Sequence, residues 1–216
     1  MEDEMNFKNI SVILMSLALI LISMSSQAGT IPGIAGVYDT IPGEEFKYDG
    51  KTVEVVEFMS FYCHTCYNFE SSIPVIRGNF PNKIKWKTVP VYWGEHGSPK
   101  PGEAYLLAEE TGKGEEMKKA LFEAQMVQKR NIGDIGVLES IGKKLGLGSD
   151  FSKNLRSGKK AEDIQKGMDM AKAYGLNETP TLIIAGNIKT DSHKLEHNLD
   201  AFRQNIIAIL RGILKK

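Results

Sequence analysis

The stretch VVEFMSFYCHTCYNFE, residues 55–70, changes its hydrophobic period part-way along. From Thr52 to Phe61 the chain reads TVEVVEFMSF, β-branched and aromatic and nearly all apolar apart from its glutamates. Such a run predicts a buried central strand. From Cys63 the spacing becomes helical in CHTCYNFESSIPVIRGNF, where Pro74 predicts a kink. Residues 83–93, KIKWKTVPVYW, alternate and predict a second strand. Strand, helix and strand in that order imply a parallel pair joined by a right-handed crossover.

Beyond this unit the chain turns helical. From Pro101 to about Tyr174 the segments PGEAYLLAEE, GEEMKKALFEAQMVQKR, DIGVLESIGKKLG, SDFSKNLRSG and KKAEDIQKGMDMAKAYG predict helices. Asp134 and Ser149 are expected N-caps, and Gly112, Gly146 and Gly175 are expected stops. TPTLIIAGNIKT then predicts a β-hairpin turning at Gly186-Asn187. NLDAFRQNIIAILRGILKK predicts a closing amphipathic helix capped by Asn198. The sum is an α/β domain split by an all-helical insertion of roughly 75 residues, a plausible size for a subdomain. There is no internal repeat or low-complexity tract.

The first 28 residues stand apart. NFKNISVILMSLALILISMSSQA carries one lysine, an apolar stretch from Ile10 to Ile22, and small residues at Ser26 and Ala28 before a cut ahead of Gly29. This layout predicts a cleaved signal peptide and a periplasmic protein. The acidic opening from Met1 to Glu4 departs from the usual positive start and leaves Met5 as an alternative initiator. An uncleaved membrane tether is the alternative, but the apolar core is shorter than the roughly 20 residues of a bilayer span. The 188 residues after Ala28 carry 26 basic and 24 acidic side chains, which gives no electrostatic footprint for nucleic acid. Two cysteines are too few for a disulfide scaffold.

They are enough for a site. At the junction of strand and helix, Cys63 falls at or near the N-cap, where free backbone N–H groups and the helix dipole favour a thiolate. Cys66 lies one turn on and slightly inside, so the pair can close a disulfide, with Cys63 exposed for attack and Cys66 resolving. An ordinary cysteine is only about 3% thiolate at pH 7, so ionisation gains at most about thirtyfold in nucleophile. Depression of its pKa to about 4.5 would stabilise the dithiol by roughly 3.4 kcal/mol, about 70 mV towards a stronger oxidant. A metal site would need two more ligands. His193 and His197 have the HxxxH spacing, but 126 residues separate Cys66 from His193 and a solvated loop face explains them as well. An inert staple would close too short a loop to stabilise much.

VVEFMSFYCHTCYNFE resembles the active-site segment of the DsbA-type thiol:disulfide oxidoreductases, thioredoxin-like folds with a helical insertion. The likeness extends to the order of elements, the helical insert, the Thr-Pro before a hairpin and the final helix, over nearly all of residues 29–216. It implies a central mixed sheet flanked by helices, with thioredoxin-like parts over 29–97 and 176–216 and an all-helical subdomain over 98–175. It further implies that Cys63 attacks and forms the mixed disulfide and that Cys66 is its partner. Thr179-Pro180 matches the family's cis-proline loop, which binds the extended substrate backbone. Glu57 matches a buried acid beneath the second cysteine, expected to have a raised pKa and to take the proton of Cys66. Lys87, in the next strand, is the matching candidate to pair with it. The dipeptide departs from the Pro-His of the best-known oxidants: Thr65 occupies the histidine's position, and its hydroxyl can donate to sulfur without bringing charge. His64 either supplies charge from the neighbouring position or faces water. Met59, Phe61 and Tyr62 border a substrate groove or, as strand residues more often do, fill the core.

The expected function is an exported, monomeric thiol:disulfide oxidoreductase that needs neither cofactor nor metal and donates the Cys63–Cys66 disulfide to reduced, unfolded exported proteins. As the resemblance implies, a DsbB-type, quinone-linked membrane oxidase would reoxidise it. The alternatives are a reductase or isomerase with the same site kept reduced, and a non-catalytic thioredoxin-like binding module or chaperone.

Overall fold

A computed structural model describes residues 31–93 and 97–216. The segment read as a signal peptide lies outside the described residues. No helix among the described residues is long and apolar enough to cross a membrane.

The first half contains β1 (Asp39–Thr40), β2 (Val53–Met59), α1 (His64–Phe69), α2 (Ser72–Asn79) and β3 (Ile84–Pro90). The helices α3 (Lys100–Glu109), α4 (Gly114–Phe122), α5 (Ile135–Lys144), α6 (Ser149–Ser157) and α7 (Ala161–Ala173) follow. The chain then returns as β4 (Thr181–Ile184), β5 (Ile188–Asp191) and α8 (Leu199–Ile213). The sheet order is β1-β5-β4-β2-β3, with β2 parallel to β3 and antiparallel to β4. This is a thioredoxin-like mixed sheet interrupted by a helical insert. β2 is paired on both sides and covered on both faces, which accounts for its apolar sequence.

Alternation along β2 divides the core. Val53 and Val55 face a cluster with Phe69, Ile73 and Ile76 of α1 and α2 and with Phe202, Ile206 and Leu210 of α8. Phe58 points the other way, against Val89, Ala171 of α7 and Ile183. The insert packs around Leu107, Met117, Leu121, Phe122, Leu138 and Leu155, and Met59, Phe61 and Cys66 reach into that cluster. The insert is therefore the wall against which the second cysteine is buried.

Several local expectations are met and several shift. Asp134 and Asn198 cap α5 and α8, each accepting a backbone N–H at 3.0 Å, from Val137 and Ala201 respectively. Gly112, Gly146 and Gly175 follow α3, α5 and α7 with φ of 73°, 73° and 61°. The interruption expected at Pro74 falls earlier, at Glu70–Ser71 between α1 and α2. Proline lacks the N–H that would reach residue 70 and its ring clashes with that carbonyl, so the break appears four residues before it. Ser149 is the first residue of α6, and its N-cap is Gly148 with no side-chain cap. The hairpin loop spans residues 185–187, with Ala185 already at φ 50° and Gly186 at φ 81°. GEEMKKALFEAQMVQKR is α-helical only to Phe122 and continues as a π-helix over Glu123–Val127.

Close packing ties the insert to the sheet. A Cβ at Gly102 of α3 would lie 2.7 Å from Ile164 Cδ1 of α7 and 3.0 Å from Pro90 Cβ at the end of β3. Gly102→Ala is expected to destabilise the fold by about 1–3 kcal/mol through overpacking, read as a lower urea midpoint with an unchanged slope.

Candidate active site

β2 ends at Met59, and the turn after it brings Cys63 to the N-cap of α1 in extended geometry, φ −92° and ψ 116°. Its sulfur accepts the backbone N–H of Cys66 at 3.2 Å, so the thiol itself is the helix cap. Pairing of β4 with β2, Thr181 opposite Phe58, sets the preceding Thr179-Pro180 loop beside this cap. The Thr179-Pro180 peptide is cis, and the Cys63 thiol donates to the Thr179 carbonyl at 3.3 Å.

The two sulfurs are unequal. Cys63 is half-buried and Cys66 fully buried. Donation from the Cys66 side chain, opposed by burial and helped by the Thr179 side chain and the backbone N–H groups of Cys66 and Thr65, lowers the Cys63 thiol from 9.0 to about 6. Burial, followed by the donation to Cys63 and that sulfur's charge, pushes the Cys66 thiol well above its ordinary range. Thr65 acts on Cys63 through its backbone N–H, where a hydroxyl contact was expected. His64 is exposed, with its ring 3.0 Å from the Asn68 amide nitrogen and edge-on to Tyr67. Met59 and Phe61 are buried in the insert core, and Tyr62 is half-buried beside it.

Glu57 is fully buried, and its Oε2 accepts from Trp86 Nε1 at 3.0 Å and Thr88 Oγ1 at 3.3 Å. Its Oε1 has no hydrogen-bond partner among the described residues. The expected pairing with Lys87 does not occur. Lys87 stands opposite Val56 in the parallel register and is exposed on the other face, beside Glu54 and Tyr174. Trp86 and Thr88 share the face of Glu57, as the two-residue period requires. The ammonium near Glu57 comes instead from the insert: Lys118 of α4, with its side chain 2% exposed, lies 3.9 Å from Glu57 Oε2 and 3.0 Å from Glu70 Oε1. Glu115 Oε2 is also 3.9 Å away. Burial opposes the Lys118 charge, but Glu57, Glu70 and Glu115 outweigh it and raise its pKa. Burial, against the pull of Lys118, brings Glu70 up to about 7.

Glu70 and Lys118 escaped the sequence reading. A signal for Lys118 exists, because the buried residues 117, 118, 121 and 122 repeat at helical spacing and put this lysine on the apolar face of α4. His193 Nδ1 lies 3.4 Å from His197 Nε2 and 3.7 Å from Glu178 Oε1, an exposed cluster beside the hairpin. Among the described residues no group of three or more His, Cys, Asp or Glu is arranged to hold a metal ion.

A capping cysteine, a buried partner and a cis-proline loop on one sheet end agree with what comparison finds. The profile of the DSBA-like thioredoxin domain matches residues 54–203. The chain belongs to that family. It is 26% identical over 167 residues to the "Thiol:disulfide interchange protein DsbA" of Haemophilus influenzae, covering 76% of this chain and 80% of that protein. Identity to the protein of the same name from Azotobacter vinelandii is 25%, covering 64% of this chain and 65% of that one. Among solved structures, Pseudomonas aeruginosa DsbA superposes with a TM-score of 0.67 at 20% identity, covering 84% of this chain and 95% of that one. Salmonella enterica serovar Typhimurium SrgA gives 0.67 at 23% identity, covering 82% and 99%. This DsbA-like chain is a thiol:disulfide oxidoreductase.

Three expectations follow from the geometry. Iodoacetamide should modify Cys63 of the reduced protein with a midpoint near pH 6 while Cys66 stays protected until unfolding. Because the folded value lies below the unfolded 9.0, the dithiol form should gain stability as pH rises between the two and lose it as pH falls through about 6. Lys118→Met should leave buried carboxylates uncompensated and destabilise the fold by about 3–5 kcal/mol above neutrality. The loss should shrink as pH falls through about 7 and Glu70 protonates, and chemical denaturation across that range reads it.

Proposed function

We propose that the protein is exported to the periplasm and oxidises reduced, unfolded client proteins with its Cys63–Cys66 disulfide. The observation that carries this reading is the inequality of the two sulfurs beside the cis-proline loop. A client thiolate attacks Cys63 Sγ, the Cys63–Cys66 bond breaks, and Cys66 leaves and is protonated. The client's second thiolate then attacks the client sulfur of the mixed disulfide and releases Cys63 as the stabilised thiolate. Two electrons pass to the enzyme and the client gains a disulfide. The extended client backbone pairs beside Thr179 and Pro180. In reoxidation by a DsbB-type, quinone-linked membrane partner, Cys63 attacks first, and Glu57 takes the proton of Cys66 as it resolves.

The oxidant is a mild one. A Cys63 pKa of about 6 stabilises the dithiol at pH 7 by at most about 1.4 kcal/mol, or about 30 mV. That is less than half of what a pKa of about 4.5 would supply. His64 and Thr65 bring no side-chain hydrogen bond to the sulfur, which accounts for the smaller figure.

Cys66→Ser is expected to accumulate client proteins as mixed disulfides on Cys63, visible as reductant-sensitive bands, whereas Cys63→Ser should accumulate none and lose oxidation. Equal activity of Cys63→Ser and wild type in cells would make the protein a binding module instead. Glu57→Gln should slow the resolving step and flatten its pH dependence. The reduction potential is expected between those of thioredoxin and DsbA, about −270 and −120 mV; a value at the thioredoxin end would assign a reductase.

A further inference from the structure

A groove of about 730 Å³ opens on the side of α1 where the helical insert meets the sheet domain. Its size falls within the range of ligand clefts, which favour such junctions. Tyr67, Pro74 and Phe122 give it apolar and aromatic walls. Its lining is acid-rich: Glu70 and Glu115 are already compensated by Lys118, and Glu115 also by Arg77, but Glu116 and Glu123 have no ion-pair partner among the described residues and stand at the rim with Lys119. The α-helix of the insert gives way to the π-helix at Glu123, where that residue borders the groove, and π turns of this kind recur at functional sites. The groove runs along the helix that Cys63 caps: Tyr67 in its wall packs on Phe122 and meets edge-on the ring of His64, the residue that follows Cys63.

We propose that this groove binds an extended basic segment of the client polypeptide, a Lys or Arg next to an apolar side chain, while a nearby client cysteine is engaged at Cys63. The proposal rests on the oxidoreductase function and names the substrate class that the site prefers. The apolar side chain fits against Tyr67, Pro74 and Phe122. The cation faces Glu116 and Glu123 at the rim. Such a surface would favour reduced clients whose cysteines are flanked by basic and apolar residues over acidic ones.

The test uses the full-length mature protein and two fluorescently labelled, cysteine-free peptides, acetyl-Lys-Leu-Arg-Phe-Lys-amide and acetyl-Glu-Leu-Glu-Phe-Glu-amide. The basic peptide should bind and the acidic one should not, and binding should weaken with added salt. Glu116→Gln combined with Glu123→Gln, both exposed, should weaken it about three- to tenfold. Lys119→Glu should tighten it. Oxidation of dithiothreitol should be unchanged in each variant, while oxidation of a basic dithiol peptide slows in the double glutamine variant. Equal binding of the two peptides, or no response to these variants, would overturn the groove proposal. So would a concentration-dependent dimer that the variants abolish, because a second copy would then fill the groove. Peptide binding without any disulfide transfer overturns the client assignment and the oxidoreductase function beneath it. Intact transfer without peptide binding overturns the groove alone.

Discussion

The hydrogen bond from the Cys66 N–H to the Cys63 sulfur organises this molecule. It makes the thiol do what a serine or aspartate side chain does at an ordinary helix start, so the cap is itself an ionisable sulfur. A cap gains most when it is charged, and the helix therefore favours the thiolate over the thiol. The same turn carries Cys66 inward, where burial works the other way. A single helical turn thus separates a sulfur that ionises readily from one that does not. Disulfide exchange through a mixed disulfide requires that ordering.

Burial of Cys66 depends on the insert. The second cysteine shares a core with Leu107, Met117, Leu121 and Phe122, and without those helices the sheet end carrying Met59 and Phe61 would face water. The insert also supplies Lys118. A buried Glu57 costs several kcal/mol unless it is neutral or compensated, and Trp86 and Thr88 satisfy only one of its oxygens. Lys118 reaches across from α4 to offset the charge, and Glu70 and Glu115 hold its far side. The helical insert is thus part of the redox site through both its apolar wall and its one buried cation.

What could be read from the residues divides along physical lines. The strand from Val53, the helix from Cys63 and the parallel return at Ile84 were legible because period and composition act locally. So were the caps at Asp134 and Asn198, which need only three residues to form. The partner of Glu57 was not. Lys87 sits in the neighbouring strand, but register decides its face, and alternation turns it away beside Val56. The true cation is 61 positions along the chain, on a helix whose docking no local pattern specifies. The position of Lys118 on an apolar stripe announced a buried lysine, and a buried lysine requires carboxylates. Those carboxylates are Glu57, Glu70 and Glu115.

The dipeptide between the cysteines departs from Pro-His without removing the backbone contacts of the site. Position 65 sits inside the first turn, where any residue presents its backbone N–H to the Cys63 sulfur, so threonine retains that contribution. What it gives up is a cationic or donating side chain. His64 does not replace it, because its ring turns outward to Asn68 and Tyr67. The thiolate is left to the backbone, to Cys66 and to Thr179, which are features of the fold more than of the dipeptide. A site stabilised mainly by its fold keeps the sulfurs in the same order whatever two residues stand between them. In the proposed oxidation, those residues are left to set how strongly the disulfide would be given up.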